Sequence, residues 1–435
     1  MTGRRTDRST SRPTLNRPVR AAVLSVGALA VCASIAVGCG VVPGTAGGSG
    51  DDTITVMTWA PQDTDATNKP GMPAFAQAYA RWVNARGGIA GRKLRVLTCN
   101  DHNDSVAAAK CSRIAVKRKV VAVVGSYSQH SDSFLPSLEA AGIPYIGGYG
   151  LSGGEFTSPL SYPVNGGQPT LLAGLGKELA AGCGSVVLVR PDNIAGDALP
   201  PMLDSGLKAG GHAASIDQQA ADDATEYEEQ ARRAVAASAG DTAKKGCVIP
   251  ALGDRTSTFM DSFRRARENA PDVKTAAVLG SVDQTEINES GGRSGPYEGS
   301  YITGWYPAAN DPRWDGMKKV ISRQAFGDNR IDAADAGVQT TWIAYTVFRK
   351  TVESLGGGNV TSDTVRRALD HGLKVTTGGL TPPLEWEQEG PLAAIGLSRL
   401  VNDEVTLQVV RQGQLVAAKK GFLNVTGTLK DADVS

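Results

Sequence analysis

Along the first third of the folded part of the chain, short apolar runs alternate with stretches whose apolar positions recur every three or four residues. "TITVMTW", "KLRVLTC", "VVAVVG" and "IPYIGG" read as strands, and "MPAFAQAYARWVNARGG", "SVAAAKCSRIAVKR" and "SDSFLPSLEAAG" between them read as helices. Continuously apolar strands separated by helices predict a parallel sheet covered on both faces. The pattern then restarts with "SVVLVR", "AASIDQ", "CVIPALG" and "TAAVLG", and helices are expected near 199–209, 227–237 and 256–268. The last third adds the strand "GSYITGWYP", helices in "RWDGMKKVISRQAF", "AGVQTTWIAYTVFRKTVESLGG" and "TSDTVRRALDHG", and a hairpin in "GLSRLVNDEVTLQVVRQGQLV". The fold class is therefore α/β, with two doubly wound parallel-sheet lobes. Because the last third arrives after both sheets have begun, it must complete both and cross between them more than once.

The residues before this pattern differ in kind. Met1 to Arg20 carries Arg4, Arg5, Arg8, Arg12, Arg17 and Arg20 against the single acid Asp7, and an apolar, small-residue run then ends at "AVGC". A basic region, an apolar region and a cleavage site make residues 1–38 a secretion signal and place the protein outside the cytoplasm. Small residues before Cys39 are similar to the lipobox of bacterial lipoproteins, in which that cysteine is acylated. Two acyl chains suffice for stable anchoring, so attachment to the outer face of the cell membrane is expected. The Gly-rich residues 39–52 read as a flexible tether.

Composition adds exclusions. A net charge of +1 over 435 residues gives no electrostatic case for nucleic acid. With Cys32 in the signal and Cys39 at the lipid position, four cysteines remain, Cys99, Cys111, Cys183 and Cys247, and an even number in an exported chain predicts two disulfides. Three pairings are possible. Cys99 with Cys111 would tie a strand end to the next helix, and Cys183 with Cys247 would join the starts of two strands that a doubly wound sheet can set side by side.

The loop "GSYSQHSD" is the first candidate for chemistry. Ser128, His130 and Asp132 are triad residue types, but they lie two apart on one loop, whereas triad members meet from separate strand ends. "GSYSQ" lacks the second glycine of a nucleophile elbow. Four histidines, His102, His130, His212 and His371, have no ligand spacing to one another, and Cys99 and Cys111 are better used in a disulfide than on zinc. No phosphate-binding glycine loop follows a strand. No enzyme, metal or cofactor is expected. A ligand clamp fits better, since ligands bind outside the carboxyl ends of parallel strands, where helix N-termini offer free amides. Ser131 or Asp132 is expected to cap the following helix, and Asp104 or Asn103 the helix near Ser105.

"VNARGGIAGRKLRVLTCNDHNDSVAAAKCSRIAVKRKVVAVVGSYSQHSDSFLPSLEAAGIPYIGG" strongly resembles the leucine/isoleucine/valine-binding family of type 1 periplasmic binding proteins, through "N-x-x-GGI-x-GR", the acidic turn after the second strand and "AGIPYI". The resemblance implies a two-lobed receptor with a three-segment hinge that traps a small molecule, an amino acid or a related compound, and delivers it to an ABC-type permease. Sensing in signalling is the alternative use of the same fold. On this pattern residues 53–162 and 304–385 form lobe 1, and residues 163–303 and 386–435 form lobe 2, of a monomer. Ligand contacts carried over are Ser128 and Gln129, the turn from Tyr149 through Gly150 to Ser152, the acid Asp283 for an ammonium, and Trp59 and Tyr127 as aromatic walls.

Overall fold

The computed structural model describes residues 53–431 other than 65–66, 222–223, 240–243, 271, 279 and 387–389. The expected signal, Cys39 and the tether lie outside the described residues. The first sheet contains β1 (Thr53–Trp59), β2 (Lys93–Cys99), β3 (Ala122–Val124), β4 (Tyr145–Ile146) and β5 (Ser161–Tyr162), all parallel in the order β2-β1-β3-β4-β5. Its inner strands β1 and β3 are buried on both faces because each face is covered, whereas the edge strand β2 is half-exposed. Ile54, Val56, Ala122, Val124 and Ile146 share one hydrophobic cluster with the helices Gly71–Asn84 and Ala336–Ser354. Met57, Trp59, Val123 and Tyr145 point the other way, into a cluster with the helices Ser105–Lys117 and Ser131–Ala140. This is the period of two of an extended strand.

The second sheet contains β6 (Val186–Pro191), β7 (Ile216–Ala220), β8 (Cys247–Pro250), β9 (Lys274–Val278), β10 (Tyr301–Gly304), β11 (Glu404–Arg411), β12 (Gln414–Ala417) and β13 (Leu423–Asn424). The order β12-β11-β10-β9-β8-β6-β7 is parallel from β10 through β7 and antiparallel where β11 joins β10 and β12. β11 and β12 are the expected hairpin, and β13 also pairs with β11. Helix Gly167–Gly182 packs on β9, β10 and β11.

The chain passes between the two sheets after β5, after β10 and before β11, which makes three crossings. Side chains stitch these segments together where they run close. Trp305 Nε1 donates to Gly167 O at 2.9 Å, Trp386 Nε1 to Pro163 O at 3.0 Å and Asn402 Nδ2 to Val164 O at 3.0 Å. Asn165 Nδ2 donates to Tyr306 Oη at 3.2 Å. Buried polar groups cost least when paired, so this network fixes the path of the crossings.

Two glycines explain sequence signals. In "GGIAGR", Gly88 has φ +82°, and a Cβ there would stand 2.0 Å from Arg92 O, so the signature is a tight turn. Gly125 ends β3 with φ +61°, and a Cβ on it would stand 3.0 Å from Thr341 Cα. That close approach seats the helix Ala336–Ser354 against the sheet, and the Thr341 hydroxyl donates to Gly125 O at 3.2 Å. Cys99 is bonded to Cys111, and Cys183 to Cys247. Asp104 caps the helix Ser105–Lys117 by accepting from Ala107 N. The cap expected from Ser131 or Asp132 is not made: the helix begins at Ser131, so His130 is its N-cap and gives no side-chain bond. The Ser131 hydroxyl turns to Asp132 Oδ1 instead, at 3.2 Å.

Candidate functional site

Three loops leave the carboxyl ends of adjacent strands in the first sheet: residues 60–64 and 67–70 after β1, 125–130 after β3 and 147–153 after β4. The second sheet presents the loop after β9 toward the first of these. Between them lies a cavity of about 230 Å³ lined by Lys69, Pro70 and Gly71, by Asp283, Thr285 and Glu286, and by Arg330, Asp332 and Asp335. A second, of about 190 Å³, adjoins it through Lys69, Asp283 and Glu286 and extends to Gly253 and Gly280. The loop residues therefore converge where ligands enter doubly wound sheets.

Lys69 is the hinge of the charge pattern. Its ammonium lies 2.9 Å from Asp335 Oδ2 and 5.8 Å from the centre of the Tyr149 ring. Burial opposes its charge, but Asp335, Tyr149 and Asp283 outweigh burial and hold its pKa well above the usual lysine value. Asp335 is also the N-cap of the helix Ala336–Ser354, through Val338 N at 2.8 Å. Asp283 uses Oδ1 to cap the helix Gln284–Glu289, accepting from Thr285 N at 2.9 Å and Glu286 N at 3.1 Å. Burial and then the neighbouring Asp335 push the Asp283 pKa up, against the pull of Lys69 and the cap. The Thr285 hydroxyl donates to Asp332 Oδ2 and so joins the two lobes across the cleft.

An aromatic group adjoins this polar one. The Tyr127 and Tyr149 rings lie 5.0 Å apart, and Tyr149 meets Trp305 edge-on at 5.3 Å. The Tyr149 hydroxyl is buried and has no hydrogen-bond partner among the described residues. It is directed at the cavity wall: a Cβ on Gly280 would stand 2.9 Å from it.

The remaining expected contacts sit differently. Trp59, last in β1, shares the parity of Met57 and is wholly buried among Phe134 (5.2 Å) and Tyr145 (6.0 Å), so it packs in the core and lines neither of these two cavities. Ser128 is 1% exposed; its Oγ accepts from His130 N at 3.3 Å, and it lies beside the Asp101 carboxyl, whose pKa burial raises and Ser128 lowers. The loop is drawn inward, with Tyr127 N donating to Trp59 O at 3.0 Å and Trp59 N to Ser126 Oγ at 3.1 Å. Gln129 is exposed and reaches Tyr127 Oη with Nε2 at 3.1 Å.

The turn from Gly150 to Ser152 is already closed on an internal anion. Glu155 Oε2 accepts from Gly150 N at 3.0 Å, and Oε1 accepts from Leu151 N at 3.0 Å, Ser152 N at 3.2 Å and Ser152 Oγ at 3.0 Å. Burial raises the Glu155 pKa, while these donors pull it back. Lys69, Asp335, Thr285 and Glu155 were missed by sequence reasoning. Lys69 stood in a conspicuously polar loop, "APQDTDATNKPG", but its partner is 266 residues away.

A cleft between two sheets whose central strands are parallel, built from their carboxyl-end loops and spanned by three crossings, defines a two-lobed ligand-binding protein. The family profile described as periplasmic binding protein matches residues 60–392, and the chain belongs to that family. A branched-chain amino acid ABC transporter protein from Thermus thermophilus, solved with bound valine, superposes with TM-score 0.70 at 14% identity, over 89% of this chain and 100% of that one. A possible leucine/isoleucine/valine-binding protein from Rhodopirellula baltica gives 0.67 at 13%, over 89% and 100%. A solute-binding protein of an ABC transporter from Rhodopseudomonas palustris, in complex with 3,4-dihydroxybenzoic acid, gives 0.65 at 16%, over 86% and 98%. A sequence search of curated proteins finds no match. The family is one of extracytoplasmic solute-binding proteins, not enzymes, and no helix among the described residues is long and apolar enough to cross a membrane.

Proposed function

We propose that the protein is a monomeric receptor that closes its two lobes on a small polar molecule and delivers it to an ABC-type importer. Its lobes are residues 53–162 with 304–385 and residues 163–303 with 386–435, and Cys39 is the lipid-bearing residue that holds it on the outer face of the membrane. The observation that supports this reading best is the cavity of about 230 Å³ walled by residues from both lobes. A ligand there contacts both lobes only when they are closed, so it drives closure by binding that form better. Asp283, Tyr149 and Tyr127 are the contacts of the notional amino-acid pattern that remain near the cleft; an ammonium fits them. A carboxylate would meet turn amides that Glu155 already holds.

The test is a thermal-shift screen of amino acids, amides, amines and small organic acids, followed by small-angle scattering. A ligand at 100 times its dissociation constant stabilises a fold by ~2.7 kcal/mol if it binds only the native state. The radius of gyration should fall with the same ligand. Uptake of that ligand should be lost when the permease is deleted; uptake that persists, with a signalling output that disappears, favours the sensing role instead.

A further inference from the structure

The charge balance of the cleft says more about the ligand than its shape does. Asp283, Glu286, Glu289, Asp332 and Asp335 line the larger cavity. The cations facing them are Lys69 and Arg330, and both are engaged: Lys69 with Asp335 at 2.9 Å, and Arg330 with Asp328 at 2.6 Å. Asp283, Glu289 and Asp332 have no ion pair among the described residues. Asp283 spends one oxygen, Oδ1, on its helix cap and keeps the other. An acidic cluster alone could be a solvated surface, but a second observation points inward. The Tyr149 hydroxyl, 3% exposed as a residue and without a hydrogen-bond partner among the described residues, lies against Gly280, which lines the adjoining cavity. A phenol oxygen in that position can accept a hydrogen bond from an ammonium.

The anion-binding end of an amino-acid site is closed at the same time. Glu155 supplies a carboxylate to the amides of Gly150, Leu151 and Ser152, which leaves that turn no vacancy for a ligand's carboxylate. Coulomb repulsion from the cleft acids would further disfavour an anion. We propose that the cleft takes a small aliphatic cation without a carboxylate, and binds best one with two amino groups, held by Asp283, its neighbouring carboxylates and the Tyr149 hydroxyl. The two cavities, about 230 and 190 Å³, suit a short diamine. This inference rests on the solute-receptor reading above and names its substrate class.

The experiment is calorimetry on the full chain with 1,4-diaminobutane, isobutylamine, valine, 4-hydroxybenzoate and 1,4-butanediol. Isobutylamine is valine without its carboxylate, and the diol is the diamine without its charge. The diamine should bind most tightly, isobutylamine at least tenfold tighter than valine, and the diol not at all. Affinity for the diamine should weaken as salt rises. Asp283→Asn keeps an oxygen to cap its helix and should cost tenfold or more in diamine affinity at unchanged melting temperature. Tyr149→Phe should cost severalfold and leave the melting temperature unchanged or higher. Tighter binding of valine or 4-hydroxybenzoate than of either amine overturns the inference and leaves the receptor reading intact. Binding of the diol as well as the diamine does the same. A panel in which nothing binds, extended to the wider screen above without a hit, overturns both.

Discussion

Glu155 offers the sharpest test of how the site is built. Replacing it with glutamine keeps the shape but puts an NH₂ where one carboxylate oxygen stood. With the amide oxygen turned to Leu151 and Ser152, the NH₂ faces Gly150 N–H, donor against donor. One hydrogen bond to a charged acceptor is lost, worth about 1.5–3 kcal/mol, and the bonds to Leu151 N, Ser152 N and Ser152 Oγ weaken toward neutral strength. Relief from burying a charge offsets part of this, since burial is the largest influence on the Glu155 pKa. A net loss of roughly 2 kcal/mol is expected, which at ~2 °C per kcal/mol for a large domain lowers the melting temperature by roughly 4 °C. The pH dependence has a defined sign. A carboxyl with a raised folded pKa contributes stability that is present below its unfolded pKa and is lost as pH rises through the folded one. The gap between parent and Glu155→Gln should therefore widen as pH falls from 7 toward the ordinary carboxylate range. Glu155→Ala should in addition be rescued by acetate, which can occupy the emptied turn; tenfold over its dissociation constant would return ~1.4 kcal/mol. Calorimetric melts at pH 7 and pH 5, with and without acetate, measure all three. A Glu155→Gln shift below ~1 °C refutes the account of Glu155 as a buried internal anion, and a gap that narrows on acidification refutes the raised pKa.

The other predictions concern the frame. Gly125→Ala places a Cβ at φ +61° and 3.0 Å from Thr341 Cα, and should cost at least ~2 kcal/mol, seen as a lower melting temperature. Cys183→Ser with Cys247→Ser opens a loop of 64 residues and should cost ~4 kcal/mol, against ~3 for the 12-residue separation of Cys99 and Cys111, by denaturant titration under oxidising conditions. Cys39→Ala should release the protein from the membrane fraction and abolish labelling by a fatty-acid probe; unchanged labelling would reject the anchor.

What the sequence disclosed followed the range of the physics involved. The strands and helices were readable because their signal is local: the "VVAVVG" run, the period of three and four in "SVAAAKCSRIAVKR", and the cap at Asp104 each lie within a few residues. The hairpin of β11 and β12 was likewise local. The helix N-cap at His130 misled because "SQHSD" offers several oxygens, and loop dihedrals, which composition leaves open, decide which one faces the amides. Trp59 illustrates the limit at the site. Its identity suggested a pocket wall, yet strand parity, already visible from Met57, turns it into the core. Glu155 could have been suspected from its place four residues beyond Leu151, at the start of a short helix. The pairing of Lys69 with Asp335 and of Thr285 with Asp332 had no local trace, since each joins segments from distant parts of the chain.

The placement of the two disulfides bears on how such a molecule is made. Each closes within one lobe, and both are complete once residue 247 has emerged. The first lobe, however, still lacks the helix Ala336–Ser354 at that point, and the second lacks β11. During export the bonds can therefore bookmark two half-built lobes, shrinking the conformations each must search while the rest of the chain is still arriving. No disulfide spans the hinge among the described residues, so this early fastening ties each half-built lobe to itself and leaves the two joined by the three backbone crossings alone.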